Sequence, residues 1–298
     1  MDKQHWSISQ IWNESFQVEK YEPKVKNYIS ASEIGKSYLE RWYKMKGTPE
    51  TNPAPDRVLR IFAAGNEFHH LMQRVFEKIG ILQSKETYCE IPETPEHLKI
   101  LGYYDAQIGG FADWTIAREN VKLAGFSKFV EYTALKLIDS LEKEYPEGLS
   151  KRICEVKSMN SRAFHYHKDD LTTGYEHHQL QLYTYLKATG LSEGVILYIS
   201  KDDLCLQELP VFNPSERLEE KWQTDIRTMS KYIRDNVKPP ADDYIVFDNS
   251  THKYGINWKV SRSSYFDLIT GESLDKWTLE QSKKVKEMNK NLKLKGRK

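Results

Sequence analysis

The seven residues Lys151-Arg-Ile-Cys-Glu-Val-Lys157 decide how the rest of the chain is read. They make a strand-like run, and because side chains alternate across a strand, Glu155 and Lys157 share one face while Cys154 and Val156 share the other. A carboxylate two positions from an ammonium is useful where a hard cation must sit beside an activated water. Glu155 can ligate Mg2+; Lys157 can orient or help deprotonate the water and balance phosphate charge. The E-x-K pattern occurs three times, at Glu22–Lys24, Glu155–Lys157 and Glu219–Lys221, and only the middle copy lies in a strand-like run. That context makes it the one to build on.

Upstream, Gly110-Phe-Ala-Asp-Trp-Thr-Ile116 reads as the preceding strand, with Asp113 between Ala112 and Trp114. An acidic residue inside a half-buried strand is costly unless it is paired or ligates something. If this strand pairs with residues 151–157, Asp113 and Glu155 converge on one ion. The plainer alternative is that Asp113 caps a turn after Gly109-Gly110. Asp105 is a rival, because Gly102-Tyr-Tyr-Asp105 has the same G-x-x-D form. The residues after it, Ala-Gln-Ile-Gly-Gly, read as a turn, which favours Asp113. Between Asp113 and Glu155 lies a helical insertion at about 118–150, with Phe129, Val130, Ala134, Leu137, Ile138 and Leu141 at helical spacing.

Further upstream, Val58, Ile61, Phe62, Phe68, Met72, Phe76 and Ile79 predict a helix over about 57–79 that stops at Gly80. His69 sits at the edge of its apolar face, where a histidine is more often a satisfied core residue than a ligand. Ser30-Ala-Ser-Glu33 has the capping-box form and predicts a helix running on through Ile34, Tyr38, Leu39 and Trp42. Short β-like runs fill 86–116. Downstream, a helix over 175–188 places Gln179 and Tyr183 at i, i+4 on the face of Leu182 and Leu186. Packing explains the leucines; a glutamine there has to hydrogen-bond something in the core or the site. Strands follow at 194–200 and 204–211, then a helix over 214–237 ending at Pro239-Pro240. The last 58 residues show few regular signals. The order α-β-β-β-α-β-β-α describes an α/β (α+β) core with a helical N-terminal region, residues 1–56, a core at 57–238 and an appended segment at 239–298.

Composition sets the outer bounds. The chain has 298 residues, 39% hydrophobic and 29% charged, enough for a packed core and too apolar for a disordered chain. The longest apolar run, Val195–Ile199, is too short to span a bilayer, and the start lacks a secretory pattern, so a soluble cytoplasmic protein is expected. Three dispersed cysteines, Cys89, Cys154 and Cys205, exclude a disulfide framework and a local CxxC metal knuckle. Net charge is +1, but residues 283–298 carry eight basic residues against Glu287 alone, a tail suited to a polyanion or simply a solvated helix end. Gly35-Lys-Ser37 lacks the first glycine of a P-loop, HExxH and GxSxG are missing, and His165-Tyr-His167 reads as an isolated surface pair.

Taken in order, Gly65-x-x-x-His69, Gly110-x-x-Asp113, Glu155-x-Lys157 and Gln179-x-x-x-Tyr183 resemble the PD-(D/E)XK nuclease superfamily, particularly its RecB-like branch, over about residues 57–200. The resemblance implies a restriction-endonuclease-like core, a central mixed sheet flanked by helices. It implies Mg2+ or Mn2+ held by His69, Asp113, Glu155 and the Val156 carbonyl, with Lys157 beside the attacking water and Gln179 and Tyr183 positioning the strand or bracing the site. It further implies a bacterial or phage-type deoxyribonuclease, with an exonuclease favoured, that takes duplex ends or single strands in recombination, repair or replication. Other proteins of those processes would be its partners, and no membrane. Many RecB-like nucleases, including CRISPR-adaptation exonucleases, tie their termini with a four-cysteine iron–sulfur cluster. Three cysteines cannot build one, so packing, through Trp42 and Trp258, would have to join the ends. Two rival functions stand beside this reading: an inactive nucleic-acid-binding scaffold on the same fold, and a metalloenzyme acting on another small substrate.

Overall fold

In a computed structural model, residues 7–18, 23–92, 94–95, 98–166, 168–212, 215–248 and 251–295 are described. In chain order the elements are α1 (Ile8–Val18), β1 (Tyr28–Ser30), α2 (Tyr38–Met45), α3 (Asp56–Lys78), β2 (Leu82–Glu90), β3 (Lys99–Ile108), α4 (Thr115–Leu123), α5 (Lys128–Glu144) and β4 (Arg152–Met159). They continue with α6 (Ser161–Tyr166), α7 (Lys168–Thr173), α8 (Glu176–Thr189), β5 (Glu193–Ser200), β6 (Leu206–Phe212), α9 (Glu216–Arg234), β7 (Ile245–Asp248), β8 (Lys253–Ile256), α10 (Trp258–Ser261), α11 (Phe266–Thr270) and α12 (Leu274–Lys295). Two compact units contain them: Tyr28–Gly35 with Arg60–Arg227, and Met1–Asn27 with Lys36–Leu59 and Thr228–Lys298.

The first unit holds a central mixed sheet flanked by helices. β4 and β5 run parallel, from Ile153↔Gly194 to Met159↔Ser200, and β6 returns antiparallel to β5. β3 is the hub. One of its edges pairs antiparallel with β2. The other edge is shared: β1 pairs parallel with residues 99–101, and β4 pairs antiparallel with Ala106, Gln107 and Ile108. Between these two stretches, residues 102–105 have no strand partner on that side, so β3 and β4 part just beyond Ala106↔Cys154.

Alternation along β4 assigns the two faces. Ile153 joins Tyr104, Ile196, Tyr198, Leu182, Tyr185 and Leu186 in the cluster covered by α8. Cys154 and Val156 join Ala106, Val195, Leu197 and Ile199 on the other face, with Phe68, Met72 and Phe76 of α3 packed against them. Each fully buried aliphatic side chain contributes about 1.5–3 kcal/mol, and these layers fix the sheet between the two helices. The close approach of α8 depends on Gly102: a Cβ there would lie 2.6 Å from Tyr185 Cε1 and 2.9 Å from Ala31 Cβ. Gly102→Ala is therefore expected to destabilise the fold by about 1–3 kcal/mol through overpacking, read as a lower denaturant midpoint at unchanged slope.

Three expectations need correction. Residues 110–116 are not a strand. Gly109 and Gly110 both adopt positive φ, +71° and +82°, and turn the chain out of the sheet. Phe111 and Trp114 instead pack with Ile81, Val121 and Ile138 under the insertion, which is two helices, α4 and α5. The capping box at Ser30 closes only a 3-10 turn, Ala31–Glu33, with Ser30 N–H donating to Glu33 at 3.1 Å. Ile34 then leaves the helical region, and α2 starts afresh with Ser37 accepting from Glu40 N–H. The last 58 residues are regular after all. A β7–β8 hairpin and three helices enclose Val260, Phe266 and Trp277, and Asn289 of α12 bonds both backbone groups of Tyr254. Four-residue strands and sparse apolar spacing leave little for periodicity to detect.

In this second unit the N- and C-terminal segments meet through Leu39, Tyr43 and Tyr265, the tyrosine rings stacked at 5.3 Å, with Trp42 packed alongside. Trp258 is half-exposed. Among the described residues no helix is long and apolar enough to cross a membrane. His167 and the last three residues of the basic tail lie outside the described residues.

Candidate active site

The parting of β3 and β4 leaves the Val156 N–H without a strand partner, and Asp105 supplies one. Its Oδ2 accepts from Val156 N–H at 2.6 Å, while Oδ1 lies 2.7 Å from His69 Nδ1 of α3. Gln73 Nε2, also on α3, donates to the Asp105 carbonyl at 3.0 Å and holds that stretch of backbone. A side chain thus replaces a ladder bond, and it fixes a carboxylate at the mouth of the gap.

Glu155 follows from the alternation. It points to the α8 face and is 2% exposed. Its Oε1 accepts from Lys157 Nζ at 2.6 Å and from Gln181 Nε2 at 2.7 Å. Lys157 Nζ also donates to Gln181 Oε1 at 2.8 Å, which closes a ring of three side chains. Gln181 Nε2 makes a further bond to the Tyr185 hydroxyl at 3.0 Å. An ammonium has three donors; two are committed here, and the third is left for a water or a phosphate oxygen.

The other Glu155 oxygen, Oε2, is buried without any hydrogen-bond partner. A half-satisfied buried carboxylate is expensive. Its pKa is raised, first by burial and then by the Asp105 charge, while Lys157 and His69 pull it back. His69 is pulled down by burial, but its bond to Asp105 and the Asp105 charge outweigh this and leave its pKa raised. Negative charge is thus concentrated around the gap. A divalent cation would complete Oε2 and relieve the repulsion between Asp105 and Glu155, so the donor set suits a hard ion. In the present arrangement Glu155 is turned toward Lys157 and Gln181. His69, Asp105 and Glu155 do not bring three ligand atoms within 4.8 Å of one another.

Of the residues expected from sequence, the structure brings His69, Glu155, Val156 and Lys157 together. It does not bring Asp113, Gln179 or Tyr183 to them. Asp113 is exposed and lies beyond the end of β3, where its Oδ1 accepts from Thr115 N–H at 2.8 Å and starts α4. That bond holds its carboxyl below the usual range. Gln179 Nε2 donates to the Thr173 and Gly174 carbonyls at 2.5 and 3.1 Å, tying down the turn that enters α8. Tyr183 packs edge-on against Trp222 of α9, ring centroids 5.6 Å apart.

Their places are taken by Asp105, Gln181 and Tyr185. The signal for Gln181 and Tyr185 was present as a second Q-x-x-x-Y two residues on, in Gln179-Leu-Gln181-Leu-Tyr183-Thr-Tyr185. Every residue from Leu180 to Leu186 is buried, so the apolar pattern does not show which of the two pairs faces the sheet.

No protein-family model matches the chain, and no curated protein matches it. Among solved structures, an alkaline exonuclease from Laribacter hongkongensis, LHK-Exo, is similar at 12% identity and TM-score 0.43 over 76% of this chain and 94% of its own. The same enzyme in complex with dAMP gives 13% and 0.43 over 71% and 90%. The crystal structure of SSO0001 gives 16% and 0.42 over 78% and 87%. These are distant likenesses, and the functional reading rests on the geometry of the Asp105–Glu155–Lys157 cluster.

Proposed function

We propose that the chain is a metal-dependent deoxyribonuclease. The observation that carries this reading is the pairing of a buried, half-satisfied Glu155 with Asp105 at the strand gap and Lys157 between Glu155 and Gln181. Asp105, Glu155, His69 and the Val156 carbonyl would hold Mg2+ or Mn2+. Such an ion activates a water at neutral pH and neutralises charge on the scissile phosphate. Lys157 directs its remaining N–H at the attacking water or a phosphate oxygen. Gln181 fixes both Lys157 and Glu155, and Tyr185 fixes Gln181 from the next turn of α8. Val156 N–H keeps Asp105 oriented.

DNA as the substrate suits the charge distribution. On α12 Lys283, Lys284, Lys286 and Lys290 are exposed, and none makes an ion pair among the described residues. Unpaired lysines on a helix pinned by Asn289 favour a polyanion through counterion release. A requirement for DNA ends would make the enzyme an exonuclease. The test is incubation with linear, nicked, closed circular and single-stranded DNA under Mg2+, Mn2+ or chelator. Ion-dependent cleavage is expected, with closed circles spared and linear DNA digested. No cleavage of any form with either ion would favour the inactive scaffold instead.

A further inference from the structure

The turn between β5 and β6 grips α6 at both ends. Asp202 Oδ2 accepts from Ser161 N–H at 2.7 Å, and Asp203 Oδ2 lies 2.6 Å from His165 Nε2 in the last turn of the helix. Cys205 N–H donates to the other Asp203 oxygen at 3.2 Å, which orients that carboxylate beside the cysteine. Ligand atoms of His165, Asp203 and Cys205 all lie within 4.8 Å of one another, and no other three such side chains do so among the described residues. The cluster therefore offers one nitrogen, one oxygen and one sulfur, from two segments far apart in sequence.

We propose that His165 Nε2, an Asp203 carboxylate oxygen and Cys205 Sγ bind a borderline-soft divalent cation of the Zn2+ class, with water in the remaining position. Mg2+ and Ca2+ take oxygen donors; a set of imidazole, thiolate and carboxylate selects zinc-like ions instead. Tetrahedral coordination at ordinary zinc distances separates N and O ligands by about 3.3 Å, so the His165–Asp203 contact would open on binding. All three side chains are exposed and reach these positions by rotation about their own bonds.

Proton balance follows from the donors. Cys205 loses its thiol proton to solvent, His165 enters as the neutral imidazole, and any second proton it shares with Asp203 is also released. Asp203 is already ionised, its carboxyl held well below the usual range first by His165 and also by the Cys205 N–H. The other two cysteines are poor thiolate donors: burial pushes Cys89 up to about 11 and holds Cys154 well above its ordinary value. The bound ion would fasten α6, which begins just after β4, to the β5–β6 turn. This site is separate from the Glu155 cluster and does not depend on the nuclease reading.

Titration of the metal-free full chain with Co2+ tests it, because a sulfur-to-cobalt charge-transfer absorption appears only when a thiolate is a ligand. The band is expected to saturate at the amplitude of one thiolate-bound ion per chain, and Zn2+ to displace it. Cys205→Ser and His165→Ala are each expected to abolish the band, and Glu155→Gln to leave it unchanged. A wild-type chain without the band, or a band that survives Cys205→Ser, would overturn the proposal.

Discussion

Asp105→Asn is expected to lower ion-dependent DNA cleavage by about a thousandfold or more, equivalent to about 4 kcal/mol of barrier. Asp113→Asn is expected to leave cleavage within about threefold of wild type, as for a surface substitution. The two aspartates stand eight positions apart and share the same G-x-x-D form, but they do different work. Asp105 projects into the gap between β3 and β4, bonded to Val156 N–H and to His69. Asparagine there still offers an oxygen to Val156 N–H, so the fold is retained at a cost of about 1 kcal/mol while the charge that would hold the ion is lost. Asp113 sits in solvent just before α4, accepts from Thr115 N–H and touches none of the cluster. Rates on one DNA substrate at matched Mg2+ or Mn2+, with circular dichroism to verify folding, separate the two. Comparable loss in both variants, or in neither, would refute the assignment.

The second large effect splits activity from stability. Glu155→Gln is expected to abolish cleavage yet to leave the metal-free protein as stable as wild type or more so. Glutamine keeps an oxygen for Lys157 and Gln181 and removes a buried charge whose second oxygen has no partner, while the partly exposed Lys157 ammonium still reaches water. The pH dependence has a definite sign. Burial and then the Asp105 charge raise the folded-state pKa of Glu155. Its contribution to stability is therefore fully present below the ordinary carboxylate value and is lost as pH rises through the raised one. Across that window the advantage of Glu155→Gln over metal-free wild type grows. Added Mn2+ is expected to reverse the order: at a hundred times its dissociation constant a bound ion would stabilise wild type by about 3 kcal/mol and the variant not at all. Thermal midpoints measured with and without ion across pH test both halves. A Glu155→Gln chain that melts well below metal-free wild type would contradict the account.

The sequence made Glu155 and Lys157 legible because the apolar residues Ile153, Cys154 and Val156 around them leave a polar pair on alternate positions, which only a strand explains. The place of His69 on a long helix favours a core residue, and only the resemblance points to it as a ligand. Asp105 has the same G-x-x-D form as Asp113, but the residues after it, Ala106-Gln107-Ile108-Gly109-Gly110, read as a turn. In the structure Gln107 and Ile108 still pair with both β2 and β4, and the turn begins only at Gly109. Where a strand ends depends on partners distant in sequence, which local pattern does not supply. On α8 the ambiguity has a different cause: a helix buried along Leu180–Leu186 has no polar face to fix its rotation, so two Q-x-x-x-Y pairs look alike. Gly102 breaks the tie, because the space it leaves is filled by Tyr185. Apolar periodicity marked the helices of the core and the strands at 151–157 and 194–200, and the resemblance supplied the central mixed sheet, whereas the hairpin and helices after Pro240 are held by scattered contacts such as Trp277 with Phe266.

The most direct measurement is calorimetric titration with Mn2+ in a Cys205→Ser background, where any ion at the surface cluster is removed from the reading. Heat of uptake is expected in that background and in its Asp113→Asn derivative, and is expected to vanish with Asp105→Asn. Undiminished Mn2+ affinity in the Asp105→Asn chain would contradict the claim that Asp105 and Glu155 together hold the ion.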